Sequence, residues 1–409
     1  MTDIMETDVA IVGGGPAGTL LAYLLARRGH DVVVIEKENA LEREFRGETI
    51  AAASVQTLTA LGFRSRLDTL GYLRTEGVTM WMEGKRSFHI DYRRFPINEV
   101  PIDMPQPTLI GMFDDAAVKY QGYHRLMGTR VTELWEDGDA VVGVVASTKT
   151  ETLNVRARLV VGADGRFSKV RRSAGIEATI QPMERDFLQF KLPRPDGWGS
   201  QAELIVDRDR HLVVLPTYPD YLRVGTNLPK RALVPLRKAG LDAFKASVAS
   251  ISPKLAPLLD EHLQSWDQTS FLEIFTAEVE QWTRDGLLLI GDASHTCTPI
   301  LGQGVNLAIQ DAVCFAPVIS AELRDGTGVV SAAVLAETVD TRRQHKQSVT
   351  KYQRVQEAAL SNVTFRGVLS RRWKYRTLNA LPIKYRIFDG VLNARHAVDA
   401  EDLAHTPAA

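Results

Sequence analysis

A glycine-rich turn near the start of the chain has the residue types needed to bind a dinucleotide. It follows a short apolar stretch, residues 8–12, and has the sequence Gly13-Gly14-Gly15-Pro16-Ala17-Gly18. Gly13 permits a tight turn, Gly15 lets the main chain approach a pyrophosphate, and Gly18 allows the following helix to pack against the strand. The free amides and the dipole at the start of that helix favour an anion. We therefore predict a pyrophosphate contact along Gly13, Gly15, Pro16, Ala17 and Gly18.

An acidic residue follows the next apolar stretch, where a ribose is expected. Residues 31–35 form this second strand, and Glu36 and Lys37 come directly after it. A carboxylate at this place accepts hydrogen bonds from both ribose hydroxyls and would repel a 2′-phosphate. We therefore predict that Glu36 and Lys37 contact a ribose without that phosphate. The motif alone does not distinguish FAD from NAD.

Two later segments also place a turn directly after an apolar strand. Residues 157–164 form a predicted strand that ends in Asp164-Gly165, and residues 286–290 form another that ends in Gly291-Asp292. The second segment continues into a loop, and a helix is predicted from about Val305 to Val318. The loop and the start of the helix contain Pro299, Gly302, Gly304 and Asn306.

These three motifs, in this order and with this spacing, resemble those of the class A flavoprotein monooxygenases, the family with the p-hydroxybenzoate hydroxylase fold. The resemblance covers roughly residues 8–318. It implies an α/β (α+β) fold, in which a Rossmann-like FAD-binding domain is interleaved with a substrate domain on a mostly antiparallel sheet, followed by C-terminal helices. Residues 1–70, 105–177 and 280–340 would form the FAD-binding domain, residues 71–104 and 178–279 the substrate-binding domain, and residues 341–409 a C-terminal helical region and tail.

The resemblance also gives roles to individual residues. Asp292 would hydrogen-bond a ribityl hydroxyl of FAD, and Asp164 would shape the FAD site and the approach of the nicotinamide. Arg46 would lie along the flavin, and Gln106 would lie near the FAD phosphates. Further predicted contacts with the cofactor are Gly165, Gly291, Pro299, Gly302, Gly304, Val305 and Asn306.

The loop before the predicted helix suggests how the flavin is stabilised. Gly302 and Gly304 leave amides uncovered at a helix start, and such amides would stabilise the anion of reduced flavin. Pro299 would form part of the wall of the site where oxygen and substrate meet. No catalytic residue is assigned, and the candidates near the flavin are Pro299, His295 and Arg46. We favour a structural role for His295 over a reactive one.

The activity implied by the resemblance is oxygen transfer to a small molecule. NADH or NADPH would reduce FAD, and O₂ would then give a flavin C4a-hydroperoxide that hydroxylates or epoxidises an aromatic or polyketide-like substrate. A flavin-dependent halogenase shares the FAD half, but the Trp-x-Trp pair typical of halogenases is missing here. The FAD motifs also suit an isoprenoid-type FAD reductase and a flavin-binding accessory protein without catalysis.

Composition excludes several classes of protein. The formal net charge of −1 gives no basic field for nucleic acid. Two cysteines are too few for a disulfide framework and favour a cytoplasmic location. No uninterrupted apolar run is long enough to span a bilayer, and no metal site is predicted.

The stretch from 341 to 388 is helical in pattern and rich in Lys and Arg. We expect a helical cap whose basic face is solvated. The alternative is a peripheral contact with a membrane surface or a partner, as a lipid-soluble substrate would need. The sequence leaves the oligomeric state open.

Overall fold

The computed structural model describes residues 4–40, 48–362, 364–394 and 398–403. Its strands are β1 Ile4–Val12, β2 Val32–Ile35, β3 Thr49–Ile50, β4 Leu73–Arg74, β5 Gly77–Met82, β6 Lys85–Asp91, β7 Ile102–Asp103, β8 Tyr123–Leu126, β9 Arg130–Asp137, β10 Ala140–Ser147, β11 Thr152–Gly162, β12 Thr179–Pro182, β13 Arg185–Pro193, β14 Ala202–Asp207, β15 Arg210–Thr217, β16 Tyr221–Pro229, β17 Thr269–Leu272, β18 Phe275–Glu278, β19 Thr283–Arg284, β20 Leu287–Leu289 and β21 His295–Thr296. Its helices are α1 Pro16–Arg27, α2 Ala52–Ala60, α3 Arg64–Leu70, α4 Gln106–Ala117, α5 Lys169–Ser173, α6 Leu233–Ala239, α7 Leu241–Ile251, α8 Ala256–His262, α9 Gly304–Asp325, α10 Ala332–Ser361, α11 Phe365–Ala380, α12 Ile383–Leu392 and α13 Ala400–Leu403.

The larger sheet places the three predicted turns side by side. Its strand order is β19-β20-β11-β1-β2-β8; in addition, β10 pairs with β11, and β9 pairs with β10. Strands β20, β11, β1, β2 and β8 run parallel, and the end of β1 is in register with the ends of its neighbours. Val12 pairs with Gly162 and Ile35, and Gly162 pairs with Leu289. The carboxyl ends of these strands therefore form one edge, where ligands of open parallel sheets bind.

The second large sheet has seven strands in the order β17-β13-β16-β15-β14-β5-β6. All of its pairings are antiparallel except that between β14 and β5. Along most of β15, buried residues alternate with partly exposed ones, as expected for a sheet with one face packed against a core. The sequence segments 77–82, 87–90, 202–206, 211–216 and 222–227, whose alternating pattern is typical of strands, lie within β5, β6, β14, β15 and β16. The α/β fold is confirmed.

Helix α9 passes through the core and packs on α1 and α10. Within the described residues, the stretch Ile300–Asp325 is the one that is long and apolar enough to cross a membrane, with a mean hydropathy of 1.4. However, 72% of the 18-residue window of this stretch that gives this hydropathy is buried inside the protein, as in the core helix of a folded domain. Its composition is therefore explained by packing.

The C-terminal helices correct one expectation from the sequence. We expected the basic residues after 341 to form a solvated face, but Arg342, Lys346, Arg371 and Lys384 are buried. A buried cation requires partners, since its transfer out of water is costly. The expectation is wrong for these four residues, and each of them has hydrogen-bond acceptors in the structure. Residues 404–409 of the predicted tail lie outside the described residues.

Candidate functional site

The first two predicted turns are in direct contact with each other. Gly13 adopts a φ of +110°, and a Cβ atom on it would lie 2.5 Å from the carbonyl oxygen of Ala163. A Cβ atom on Gly18 would lie 2.1 Å from the carbonyl oxygen of Gly13. Both positions therefore require glycine, because any side chain would collide with backbone atoms. The turn, the start of α1 and the segment that precedes Asp164 are packed as one unit.

The third turn joins the same unit. Gly291 has a φ of +60°, and a Cβ atom on it would lie 3.3 Å from the Cβ atom of Ala17. Arg171, on the helix that follows Asp164-Gly165, donates a hydrogen bond of 2.9 Å to the carbonyl oxygen of Ala293. Three segments that are distant in the sequence thus meet at one edge of the sheet.

Glu36 is held at the end of β2 next to the glycine turn. Its carboxylate is buried and accepts hydrogen bonds from the amides of Gly14, at 2.7 Å, and Glu38, at 3.1 Å. The carboxylate therefore lies beside the start of α1, as its predicted ribose contact requires. Lys37 is exposed and pairs with Glu38 at 3.4 Å.

Asp164 accepts hydrogen bonds from the first turn of the short helix α5, whose N-cap residue is Ser168. Its Oδ2 atom accepts from the amides of Lys169, at 2.6 Å, and Val170, at 3.1 Å. Its Oδ1 atom is buried without a hydrogen-bond partner among the described residues. The neighbouring Gly165 has a φ of +85°, and a Cβ atom there would meet no atom of the described part of the chain within 4 Å.

The loop from 299 to 306 is fixed at its far end by an asparagine. Asn306 accepts from the amide of Ala51 at 2.8 Å and donates to the carbonyl oxygens of Gly302, at 2.9 Å, and Thr49, at 3.3 Å. Gly302 has a φ of +61°, whereas Gly304 begins α9 and has open space around its Cβ position. Val305 is buried in the first turn of this helix, and Pro299 is exposed at the other end of the loop.

These segments suit a large anionic cofactor. Helices α1 and α9 both begin without a side-chain cap and without an acid in the first turn. Their first amides and dipoles therefore retain their preference for an anion. Among the described residues, none fills the space over Gly165 and Gly304, and none donates a hydrogen bond to the buried Oδ1 atom of Asp164 at the same edge. The residues present fit FAD.

A row of polar side chains on α10 supports the loop from behind. We call it the inner stripe; its members are fully buried, recur at helical spacing, and are Arg342, Lys346, Thr350 and Gln353. Gln353 donates to the carbonyl oxygens of Thr298, at 3.0 Å, and Ile300, at 2.7 Å, and accepts from the amide of Thr298. The backbone just before and just after Pro299 is therefore fixed by one side chain.

The charged half of the inner stripe supports the Gly291 turn. Asp311 of α9 accepts from Lys346 at 2.5 Å, from Arg342 at 2.8 Å and from the amide of Gly291 at 2.7 Å. Lys346 also donates to the carbonyl oxygen of Gly291 at 3.2 Å. Burial alone would raise the pKa of Asp311, but Lys346 and Arg342 outweigh it and hold the pKa below its usual value. Sequence reasoning missed this cluster; the only signal for it was helical spacing between Arg342, Lys346 and Thr350.

His295 belongs to the same support. It is buried, and its Nε2 atom lies 2.7 Å from the Oγ1 atom of Thr350. Burial, together with the nearby Lys346, lowers the pKa of His295 to about 3, so the ring is neutral at physiological pH. Burial likewise raises the pKa of the Cys297 thiol to about 12, which argues against a thiolate.

A second polar cluster lies between β3 and the seven-stranded sheet. Glu48 is buried and accepts from Lys191 at 2.7 Å and from Thr217 at 2.9 Å. Arg223, the register partner of Lys191, lies 3.7 Å from Glu48 and 3.9 Å from Asp103. Burial raises the pKa of Asp103. Thr49, next to Glu48, also flanks Gly302, so this cluster borders the loop of the cofactor site.

Asp292, Gln106 and Arg46 remain to be placed. Asp292 lies in the short turn Gly291–Ala293 and is partly exposed. Gln106 is buried and begins α4. Arg46 lies outside the described residues.

Comparison with known proteins decides the family. Residues 6–353 match the model of the FAD binding domain family. The chain is 36% identical over 324 residues to 6-methylpretetramide 4-monooxygenase of Streptomyces rimosus, and this match covers 79% of the chain and 77% of the relative. This chain belongs to the class A flavoprotein monooxygenases. The assignment as an FAD-dependent oxidoreductase, with NAD(P)H as the electron donor, is thereby confirmed.

Solved structures show how widely the fold is shared. The p-nitrophenol 4-monooxygenase PnpA from Pseudomonas putida DLL-E4 matches with a TM-score of 0.80 at 19% identity, over 97% of this monooxygenase and 100% of PnpA. The flavin-dependent brominase Bmp2 matches with a TM-score of 0.77 at 20% identity, over 97% and 96% of the two chains. At these identities the likeness shows the fold alone, and it covers hydroxylating and halogenating enzymes equally.

Proposed function

We propose that this monooxygenase is a cytoplasmic enzyme that hydroxylates an electron-rich aromatic or polyketide-like small molecule. When bound, FAD accepts reducing equivalents from NADH or NADPH and activates O₂ for transfer of one oxygen atom. In the balanced reaction, substrate, O₂, NAD(P)H and a proton give hydroxylated substrate, NAD(P)⁺ and water. The observation that carries the proposal is the meeting of the Gly13, Asp164 and Gly291 segments at one sheet edge.

The protein groups around that edge would bind FAD and orient it. The amides at the start of α1 would hold the pyrophosphate, and Glu36 would accept from the ribose hydroxyls. Asp292 would bind the ribityl chain, and Asp164 would shape the nicotinamide approach. The amides of Gly304 and Val305, at the start of α9, would stabilise negative charge on the flavin.

We further propose that the seven-stranded sheet forms the substrate side, as the predicted segments 71–104 and 178–279 imply. All of its strands lie within these two segments. The cluster of Glu48, Lys191 and Arg223 lies between this sheet and the cofactor loop, and it offers charged donors to a phenolic oxygen. The relative named for the 4-monooxygenation of 6-methylpretetramide supports a substrate of this general kind.

The test is product analysis with the FAD-loaded protein, NAD(P)H and a panel of aromatic and polyketide-like compounds that includes 6-methylpretetramide. We expect substrate-stimulated NAD(P)H oxidation and one atom of ¹⁸O in the product when ¹⁸O₂ is supplied. A halogenated product on addition of chloride or bromide would support a halogenase instead. Anaerobic transfer of two hydrogens to an isoprenoid chain would support a reductase. Stoichiometric FAD without NAD(P)H oxidation on the whole panel would support a flavin-binding accessory protein.

A further inference from the structure

Helix α11 has an apolar face that nothing in the described part of the chain covers. Phe365, Leu369 and Trp373 recur every four residues, so they lie on one side of the helix. Their exposures are 85%, 57% and 72%. Large apolar side chains arranged in an exposed row are unusual on a surface that meets only water.

The helix does not need this face for its own packing. Its other side is anchored by Tyr375, which lies in a hydrophobic cluster with Phe88 and Phe388. Arg371, also on that side, donates to the carbonyl oxygen of Leu360 at 2.7 Å. The opposite side of α11 therefore already fixes the helix on the protein, and the side with Phe365, Leu369 and Trp373 faces outward.

Cations surround the apolar row. Arg366 and Arg376 are exposed on the same helix, and Lys374 is exposed beside Trp373. Residues 364–394 contain seven basic side chains, namely Arg366, Arg371, Arg372, Lys374, Arg376, Lys384 and Arg386, and one acidic side chain, Asp389. We call the row and its cations the outer face; it comprises Phe365, Leu369, Trp373, Arg366, Lys374 and Arg376.

We propose that the outer face docks on an anionic phospholipid bilayer. Phe, Leu and Trp side chains suit the boundary between headgroups and acyl chains, and adjacent Arg and Lys are attracted to anionic lipid headgroups. A second copy of this chain is disfavoured, because a two-fold contact would press two basic surfaces together. The family match ends at residue 353, before α11, so this surface lies outside the region that defines the monooxygenase.

The next helix links this surface to the active site. Helix α12 carries two further exposed apolar side chains, Ile383 and Ile387, and ends at Leu392. Leu392 and Asn393 line a small cavity together with Gln303 and Asn306 of the cofactor loop. The docked enzyme would therefore hold its cofactor loop about one short helix away from the lipid.

The experiment is sedimentation of the full-length, FAD-loaded protein with vesicles of phosphatidylcholine alone or of phosphatidylcholine and phosphatidylglycerol in equal parts. We expect partitioning into the anionic vesicles only, weakened by added NaCl because salt screens the attraction. Leu369→Glu combined with Trp373→Glu should lower partitioning by about tenfold or more. The matched control is Val234→Glu, which changes an exposed apolar residue on α6 and should partition as the wild type does.

A charge variant keeps the proposal falsifiable if the first variant misfolds. Arg366→Glu combined with Arg376→Glu should lower partitioning into anionic vesicles by about tenfold or more. Bound FAD and circular dichroism report the fold of each variant. The proposal is overturned if the wild type stays in the supernatant with anionic vesicles at low salt, or if both double variants sediment as the wild type does. A wild-type dimer that Leu369→Glu and Trp373→Glu convert to a monomer would identify a second copy as the occupant instead.

Discussion

The inner stripe of α10 and the outer face of α11 are both basic, and they differ in what surrounds them. In the inner stripe, Arg342 and Lys346 are fully buried and share one carboxylate, Asp311. On the outer face, Arg366 and Arg376 are exposed beside apolar side chains. Since a buried cation must be compensated and an exposed one need not be, the first pair fixes the position of backbone, whereas the second pair can attract a partner. Counting charges along the sequence does not separate the two roles.

Removing the charge of Lys346 should have the largest effect on stability among the variants that test this difference. Lys346→Met keeps the apolar stem but deprives Asp311, Gly291 and Ser294 of a donor. We expect a loss of roughly 3 kcal/mol in the free energy of unfolding, measured by urea denaturation, and weaker retention of FAD. Lys374→Met on the outer face should change stability by less than about 0.5 kcal/mol. Equal losses in the two variants would contradict the difference we draw.

Acid should weaken the inner stripe through His295. The folded pKa of about 3 lies below the ordinary value of 6.5, so between these two values the unfolded state binds the additional proton. Stability should therefore be highest above pH 6.5 and should fall by roughly 2–3 kcal/mol between pH 7 and pH 4. His295→Gln should flatten this part of the curve of unfolding free energy against pH. A variant curve as steep as that of the wild type would show that other groups govern the acid sensitivity.

Replacing Gln353, a neutral member of the inner stripe, should have a smaller effect on the free energy of unfolding. Gln353→Leu removes the side-chain amide that fixes the backbone around Pro299. It should lower the free energy of unfolding by roughly 1–3 kcal/mol, since buried backbone groups lose their partners. It should also lower the fraction of NAD(P)H oxidation that yields hydroxylated product. Gln347→Leu, at an exposed position of the same helix, is the control. An unchanged product yield in Gln353→Leu would separate the stripe from the reaction.

Much of the fold was predictable because the relevant signals are local. Alternation of apolar and polar residues in the sequence indicated β5, β6, β14, β15 and β16 but not β13 and β17, and a glycine turn after an apolar strand identified β1 and α1. Gly13 and Gly18 were identifiable because dinucleotide-binding sites require glycine at these two places. At both of them the backbone packs too closely for a side chain. Three co-ordered turns then indicated the family, which the comparisons confirm.

The support behind the site was not predictable, since it depends on contacts distant in the sequence. Arg342 and Lys346 belong to a basic helical stretch whose pattern does not show which side meets Asp311, more than 30 residues earlier. Similarly, Glu48, Lys191 and Arg223 come from three separated segments. Pairing of β13 with β16 brings Lys191 beside Arg223, and Glu48 reaches both from the segment that precedes β3. The predicted contacts of individual residues with FAD remain predictions.

The affinity of Gly304→Ala for FAD tests the central claim most directly. A Cβ atom at Gly304 meets no atom of the described residues within 4 Å, so the substitution should leave the fold intact and add slight helical stability. If the flavin packs on the amides at the start of α9, the added methyl group should weaken FAD binding by about tenfold, measured by titration of the apoprotein. Gly111→Ala, in a similarly open position of α4, should bind FAD as the wild type does. A folded Gly304→Ala variant with wild-type affinity would contradict the placement of the cofactor at this edge of the sheet.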